Sequence, residues 1–138
     1  MKQDLARFLK AQETDYAQAL TEIQHGRKRS HWMWYVFPQL KGLGHSGTAQ
    51  FYGLSGKSEA EAYLAHPVLG LRLIQITEAA LALADKTPFQ IFGHPDNLKF
   101  HSCITLFAQL PDAPPVFRNA LDTFFSGKED AGTLRLLD

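Results

Sequence analysis

Between Arg29 and Pro38 the chain carries "SHWMWYVF", in which six large apolar or aromatic side chains follow a serine and a histidine. Such a run has to be buried, because neither a helical nor an extended register leaves it a polar face. Its aromatic and β-branched content leans towards strand. A lone strand, however, buries backbone N–H and C=O groups without partners, and no other segment of the chain offers itself as a pairing strand. The run is therefore expected to be a short buried helix, opened by Ser30 and stopped by Pro38.

The rest of the chain supplies helices to cover it. From Asp4, Leu5, Phe8, Leu9, Tyr16, Leu20 and Ile23 recur at helical spacing. One bent helix fits this stretch, and so do two short ones with Asp15 and Gln18 capping the second, before Gly26 stops it. A weaker helical piece is expected at Thr48 to Tyr52. A clearer one lies in "SEAEAYLAH", with Ser58 as N-cap and Glu61 three residues on. Pro67 suits the first turn of "PVLGLRLIQITEAALALAD", whose Leu69, Leu73, Ile76 and Ala80 form one stripe. "TPFQIFGHPD" reads as a single turn and a loop. In "NLKFHSCITLFAQL" Phe100, Cys103, Ile104 and Phe107 share a face, which makes this a central helix. "PPVFRNALDTFFSG" begins with proline and exits at Gly127, and "TLRLLD" reads as a short tail helix. The expected fold is all-α, a compact bundle of about six to eight helices forming one globular domain over residues 1–138.

The 45% hydrophobic content is enough for such a core without staples. Fourteen Lys and Arg balance fourteen Asp and Glu, so a global field for nucleic acid or anionic membrane is missing and an anionic partner must be met locally. Cys103 is the single cysteine, which excludes an internal disulfide and a Cys-rich zinc site and fits the reducing cytoplasm. Charges recur through the first fifteen residues where a signal peptide needs an apolar stretch, and no run is long enough to span a membrane. The chain is expected to be soluble and cytoplasmic.

Four stretches draw attention as chemistry. "GLGHSG", Gly42 to Gly47, has the letters of a dinucleotide fingerprint but no βαβ surroundings, so it reads as a flexible loop. The six histidines, at 25, 31, 45, 66, 94 and 101, lack metal-binding spacing, and neither metal nor cofactor is expected. Arg27, Lys28 and Arg29 serve a helix C-terminus as ordinary dipole partners. They can also clamp an anion, if the N–H groups and hydroxyl of a helix start at Ser30 point to the same place, with Trp32 or Trp34 behind as a stacking face. In "DNLKFHSC", Asp96, Lys99 and Ser102 fall at three-residue intervals on one helix face. An Asp–Lys surface pair is the ordinary outcome; a lysine bordering an apolar stripe is a usable base or nucleophile when burial favours its neutral amine. Cys103, among phenylalanines, reads as a small core residue.

Together "GRKRSHWMWYVFPQL", "AYLAHPVLGLRL" and "IFGHPDNLKFHSCITLF" resemble the bacterial domain-of-unknown-function 1810 family over nearly the whole chain. Phe100, Cys103 and Ile104 depart from it, standing where leucine, serine and methionine are expected. The resemblance implies a mostly helical single domain and no particular activity. It implies three motifs converging on a cleft: one with Lys28, Ser30, His31, Trp32, Trp34, Pro38 and Gln39, a second with Tyr63, His66, Pro67, Gly70 and Arg72, and a third with Asp96, Lys99, Ser102 and Thr105. Some similar proteins carry a calpastatin label, which suits a disordered chain and not one this rich in buried-type residues. The layout also has a faint likeness to helical N-glycosidases acting on ADP-ribose-type substrates.

The first functional expectation is a site for a small planar anionic ligand, nucleotide- or ADP-ribose-like, lined by the RKRSHWMW and DNLKFHS segments. Arg27, Lys28, Ser30, Trp32, Trp34, Gln39, His66, Arg72 and Ser102 are the binding candidates, and His31, Asp96 and Lys99 the proton-transfer candidates. As an enzyme it would be a metal-independent hydrolase such as an N-glycosidase. The second is a protein-interaction or self-association module, which needs the aromatic segment at the surface. The third is weak nucleic-acid contact through Arg27, Lys28 and Arg29.

Overall fold

The computed structural model describes residues 5–137; the expected helix start at Asp4 lies outside them. The first apolar stripe becomes α1 (Ala6–Gln24), which buries Phe8, Tyr16, Ala19 and Ile23. It runs unbroken through Thr14 and Asp15, the continuous form of the two expected. No glycine or proline interrupts it, and Asp15 accepts a hydrogen bond from Tyr35 Oη in place of capping its own backbone.

The "SHWMWYVF" run is helical only at α2 (Met33–Val36), so Ser30 does not open it. The reason is local competition: Ser30 gives its N–H and its hydroxyl to a carboxylate of α1, and the helix starts three residues later. After Pro38 the backbone makes one isolated parallel bridge, Leu40 to Leu54, and α3 (Gly47–Tyr52) follows, its N-cap Ser46 accepting from Ala49 N–H.

α4 (Lys57–Ala65) begins one residue before the expected cap Ser58, with Gly56 in the cap position. Glu59, not Glu61, reaches back, accepting from Ser55 N–H at 2.9 Å and pairing with Arg7 at 3.0 Å. α5 (Leu69–Leu81) carries the stripe Leu69, Leu73, Ile76 and Ala80, all buried, and stops four residues short of the expected Asp85. Its helical bonding reaches back to His66, whose carbonyl accepts from Gly70 N–H at 2.9 Å. Gly70 is required here, because a Cβ at this position would lie 2.0 Å from the Leu64 carbonyl oxygen. α4 and α5 can meet so closely only across a glycine.

α6 (Pro88–Phe92) opens with a capping box between Thr87 and Gln90. α7 (Asp96–Ala108) buries Phe100 and every residue from Ser102 to Phe107, the pattern of a helix enclosed on all sides. It packs against α2, α4 and α6, and also against α8 (Pro115–Phe125) and α9 (Ala131–Leu137). Phe100 stacks on Phe92 at 4.5 Å and meets Phe37 edge-on at 5.3 Å, so the opening run and the central helix share one core. Among the described residues there are nine helices, none long and apolar enough to cross a membrane, and no named strand.

Candidate functional site

The basic–aromatic seam is organised by a residue that periodicity puts off the apolar stripe, Glu22. Its carboxylate accepts from Arg29 N–H (2.8 Å), Ser30 N–H (3.0 Å), Ser30 Oγ (2.6 Å) and the Trp32 indole N–H (2.8 Å). Burial opposes this charge, yet the bonds from Ser30, Arg29 and Trp32 hold the Glu22 carboxyl down at about 2. The donors expected to meet an external anion thus hold an internal one. Trp32 is 1% exposed and belongs to the core. His31 is exposed, and its carbonyl oxygen lies 3.2 Å from Tyr35 Oη, whose proton points to Asp15.

A second charged cluster joins the seam to α7. Lys28 Nζ lies 2.9 Å from Asp96 Oδ2, and Lys99 Nζ lies 2.9 Å from Asp96 Oδ1. Lys28 also stands 5.3 Å from the Trp32 ring centre, and Lys99 4.2 Å from that of Trp34, both cation–π distances. Burial opposes the Asp96 charge, but hydrogen bonds and positive charge from Lys28 and Lys99 keep its carboxyl below the usual carboxylate range. Two ammonium groups on one carboxylate leave one positive charge over where water is scarce, since these side chains are only 8–18% exposed.

The two lysines paired with Asp96 line separate hollows. Lys28 and exposed Arg27 line a recess of about 330 Å³ with Phe89, Phe92 and Gly93. Lys99 lines a cleft of about 470 Å³, within the size range of small-molecule sites. Its walls are Trp34 of α2, Gln39, the loop Leu43 to Ser46, then Pro95, Leu98, Lys99 and Ser102 around α7, and Asp130 and Gly132 at the start of α9.

Gln39 is the informative wall residue. It is 8% exposed; its side-chain amide makes no hydrogen bond among the described residues, and since no fully buried side-chain N or O atom there lacks a partner, the amide opens to the solvent of the cleft. A Cβ on Gly44 would lie 3.8 Å from Gln39 Nε2 and 2.9 Å from Ala49 Cβ, so the glycine loop passes tightly over α3 beside the amide. The indole N–H of half-buried Trp34 likewise has no partner among the described residues.

Across the cleft, Asp130 Oδ2 accepts from Thr133 N–H (3.0 Å), Thr133 Oγ1 (2.6 Å) and Ser102 Oγ (3.2 Å). Its own N–H donates to Thr105 Oγ1 at 3.0 Å. Sequence reasoning missed Asp130 and Ser46. The signal for Asp130 was "DAGT", an aspartate N-cap three residues before a threonine.

The first and third motifs therefore meet, through Trp34, Gln39, Lys99 and Ser102, and the second does not join them. His66 Nδ1 accepts from Val68 and Leu69 N–H at 3.1 and 3.3 Å, capping α5. Arg72 lies 5.1 Å from the Tyr16 ring centre and donates to Gln12 Oε1 at 3.4 Å, while Gln12 Nε2 donates to Tyr63 Oη at 2.9 Å. This group ties α1, α4 and α5 together. Cys103 is wholly buried, which pushes its thiol up and leaves it to the core. No group of three or more metal-type ligands occurs among the described residues.

The profile of the family described as "Protein of unknown function (DUF1810)" matches residues 2–137. Among solved structures, the conserved hypothetical protein Rv1873 from Mycobacterium tuberculosis is 46% identical and superposes with a TM-score of 0.95, over 97% of this chain and 96% of that one. No curated protein matches the chain.

Proposed function

Since the chain belongs to the DUF1810 family, whose name assigns no activity, we propose from the cleft itself that the protein binds a small planar ligand carrying an anionic group. The observation that carries this is Gln39, nine-tenths buried as a residue but with its amide open to the cleft and without a protein partner, in a hollow that also holds Trp34 and Lys99. A chain that keeps such a group beside a flat indole and an ammonium has the parts for a ligand's hydrogen-bonding edge, ring and anion.

The reading is one of binding. Asp96 is held by two ammonium groups, which makes it a weak proton acceptor, and exposed His31 is not among the residues lining the cleft. Self-association through the aromatic run is less favoured, since Trp32, Met33, Val36 and Phe37 are core residues. Nucleic-acid contact through the basic run is weakened by the pairing of Lys28 with Asp96. We assign the protein to the cytoplasm on its single, unpaired cysteine.

The test is a thermal-shift screen with nucleoside monophosphates, ADP-ribose, flavin mononucleotide and aromatic carboxylates. A ligand at 100 times its Kd adds about 2.7 kcal/mol to stability. The expected result is a shift that Gln39→Leu and Lys99→Met abolish while the unliganded melting temperature stays within a few degrees. No shift with any compound, or a shift untouched by both substitutions, sinks the proposal.

A further inference from the structure

The cleft has a second charged end that the reading above leaves unused. Asp130 contributes only Oδ2 to its capping and Ser102 bonds; its other oxygen, Oδ1, has no hydrogen-bond partner among the described residues. Ser102 stands three residues after Lys99, about 4.5 Å further along the α7 axis. Lys99 reaches the other way, to Asp96 three residues before it. Positive and negative ends are thus displaced along one helix, with Trp34 beneath the positive one.

The charges also balance. Lys28 and Lys99 offset Asp96 and Asp130, so the site as a whole does not concentrate polyanions and instead has a field directed along its length. A ligand carrying only negative charge would meet Lys99 at one end and repulsion from Asp130 at the other. Gln39, with two donors and one acceptor on its amide, can serve either partner chemistry.

Resting on the cleft being a ligand site, we infer that its ligand is bipolar: a planar ring with a carboxylate or phosphate for Lys99 at one end and an amino or ring N–H group for Asp130 at the other. Each end then satisfies a group that the protein leaves partly unmatched. Selectivity against ligands without the amino group follows, because they leave the Asp130 carboxylate desolvated and without a donor.

The experiment is calorimetric titration of the full chain with two matched pairs, 4-aminobenzoate against benzoate and adenosine 5′-monophosphate against purine riboside 5′-monophosphate, which also separates carboxylate from phosphate. In at least one pair the amino-bearing member is expected to bind at least tenfold tighter. Asp130→Asn should bring that ratio to within twofold. Asparagine is an equally good N-cap and keeps an oxygen for Thr133 and Ser102, and the wild-type ratio is decisive even if the variant does not fold. Equal binding within both pairs, or a ratio that survives in a folded Asp130→Asn protein, overturns the bipolar assignment and leaves the cleft a ligand site. No binding by any of the four compounds overturns both.

Discussion

Trp32 and Trp34 stand two residues apart and lead to polar centres of opposite kind. Trp32 donates to Glu22, whose carboxylate takes five hydrogen bonds from four residues, Gln18, Arg29, Ser30 and Trp32. Trp34 lies under Lys99 in a cleft where the Gln39 amide and the Trp34 indole N–H have no protein partner among the described residues. Both centres combine an aromatic face with polar and basic groups, so composition does not tell them apart. Hydrogen-bond accounting does: where the donors are met inside the chain the cluster serves the fold, and where polar groups are left open to solvent in a cleft they are available to a ligand.

The largest expected effect breaks the first centre. Glu22→Gln keeps the shape but removes the charge and turns an NH2 towards a site where the other groups, Ser30 Oγ included, now donate. A loss of about 3 kcal/mol is expected, in the range for removing one partner of a buried charged network. Urea unfolding measures it; a loss below about 1 kcal/mol would make the seam incidental.

The pH dependence follows with a fixed sign. Glu22 titrates at about 2 in the fold against an ordinary 4.5, so its contribution is complete above the ordinary value and is lost as pH falls from there through about 2. Asp96, also held low, contributes in the same direction. Melting temperatures recorded across that acid window should fall in the wild type and fall less steeply in Glu22→Gln. Parallel curves for the two proteins contradict the assignment.

The contrast also explains what the sequence made legible. Long stripes were readable because burial of α5 and α7 imposes a period, and Pro67, Gly26 and Gly127 mark the ends. Trp34, Gln39, Lys99 and Ser102 were readable as a polar edge on apolar segments. Ser30 was misread as a helix start because its partner sits eight residues upstream on α1, where Glu22 lies off the apolar stripe of the wheel. His66 and Arg72 were drawn into the site because polar residues look alike in a string; only contacts show that one caps α5 and the other meets Tyr16 and Gln12. Asp130 escaped notice because it is far from α7 in sequence and meets Ser102 only through the return of the tail helix.

A smaller effect is expected in the second centre. Gln39→Leu is close in volume and removes an amide that makes no bond within the described residues, so stability should stay within about 1 kcal/mol of the wild type, while ligand binding is lost. A destabilisation above about 2 kcal/mol would place Gln39 with Glu22 as a residue of the fold.

The smallest effect is optical. Trp32 is 1% exposed and Trp34 only half-buried, so acrylamide should quench one emitting population and spare the other. Trp34→Phe should remove the quenchable part and leave blue-shifted emission from Trp32, with a melting temperature near that of the wild type. Trp32→Phe should do the reverse and destabilise the protein, because the phenyl ring offers Glu22 no donor. If both single-tryptophan proteins are quenched alike, the two centres are not separate environments, and the division between a seam that serves the fold and a cleft that faces a ligand fails at its first step.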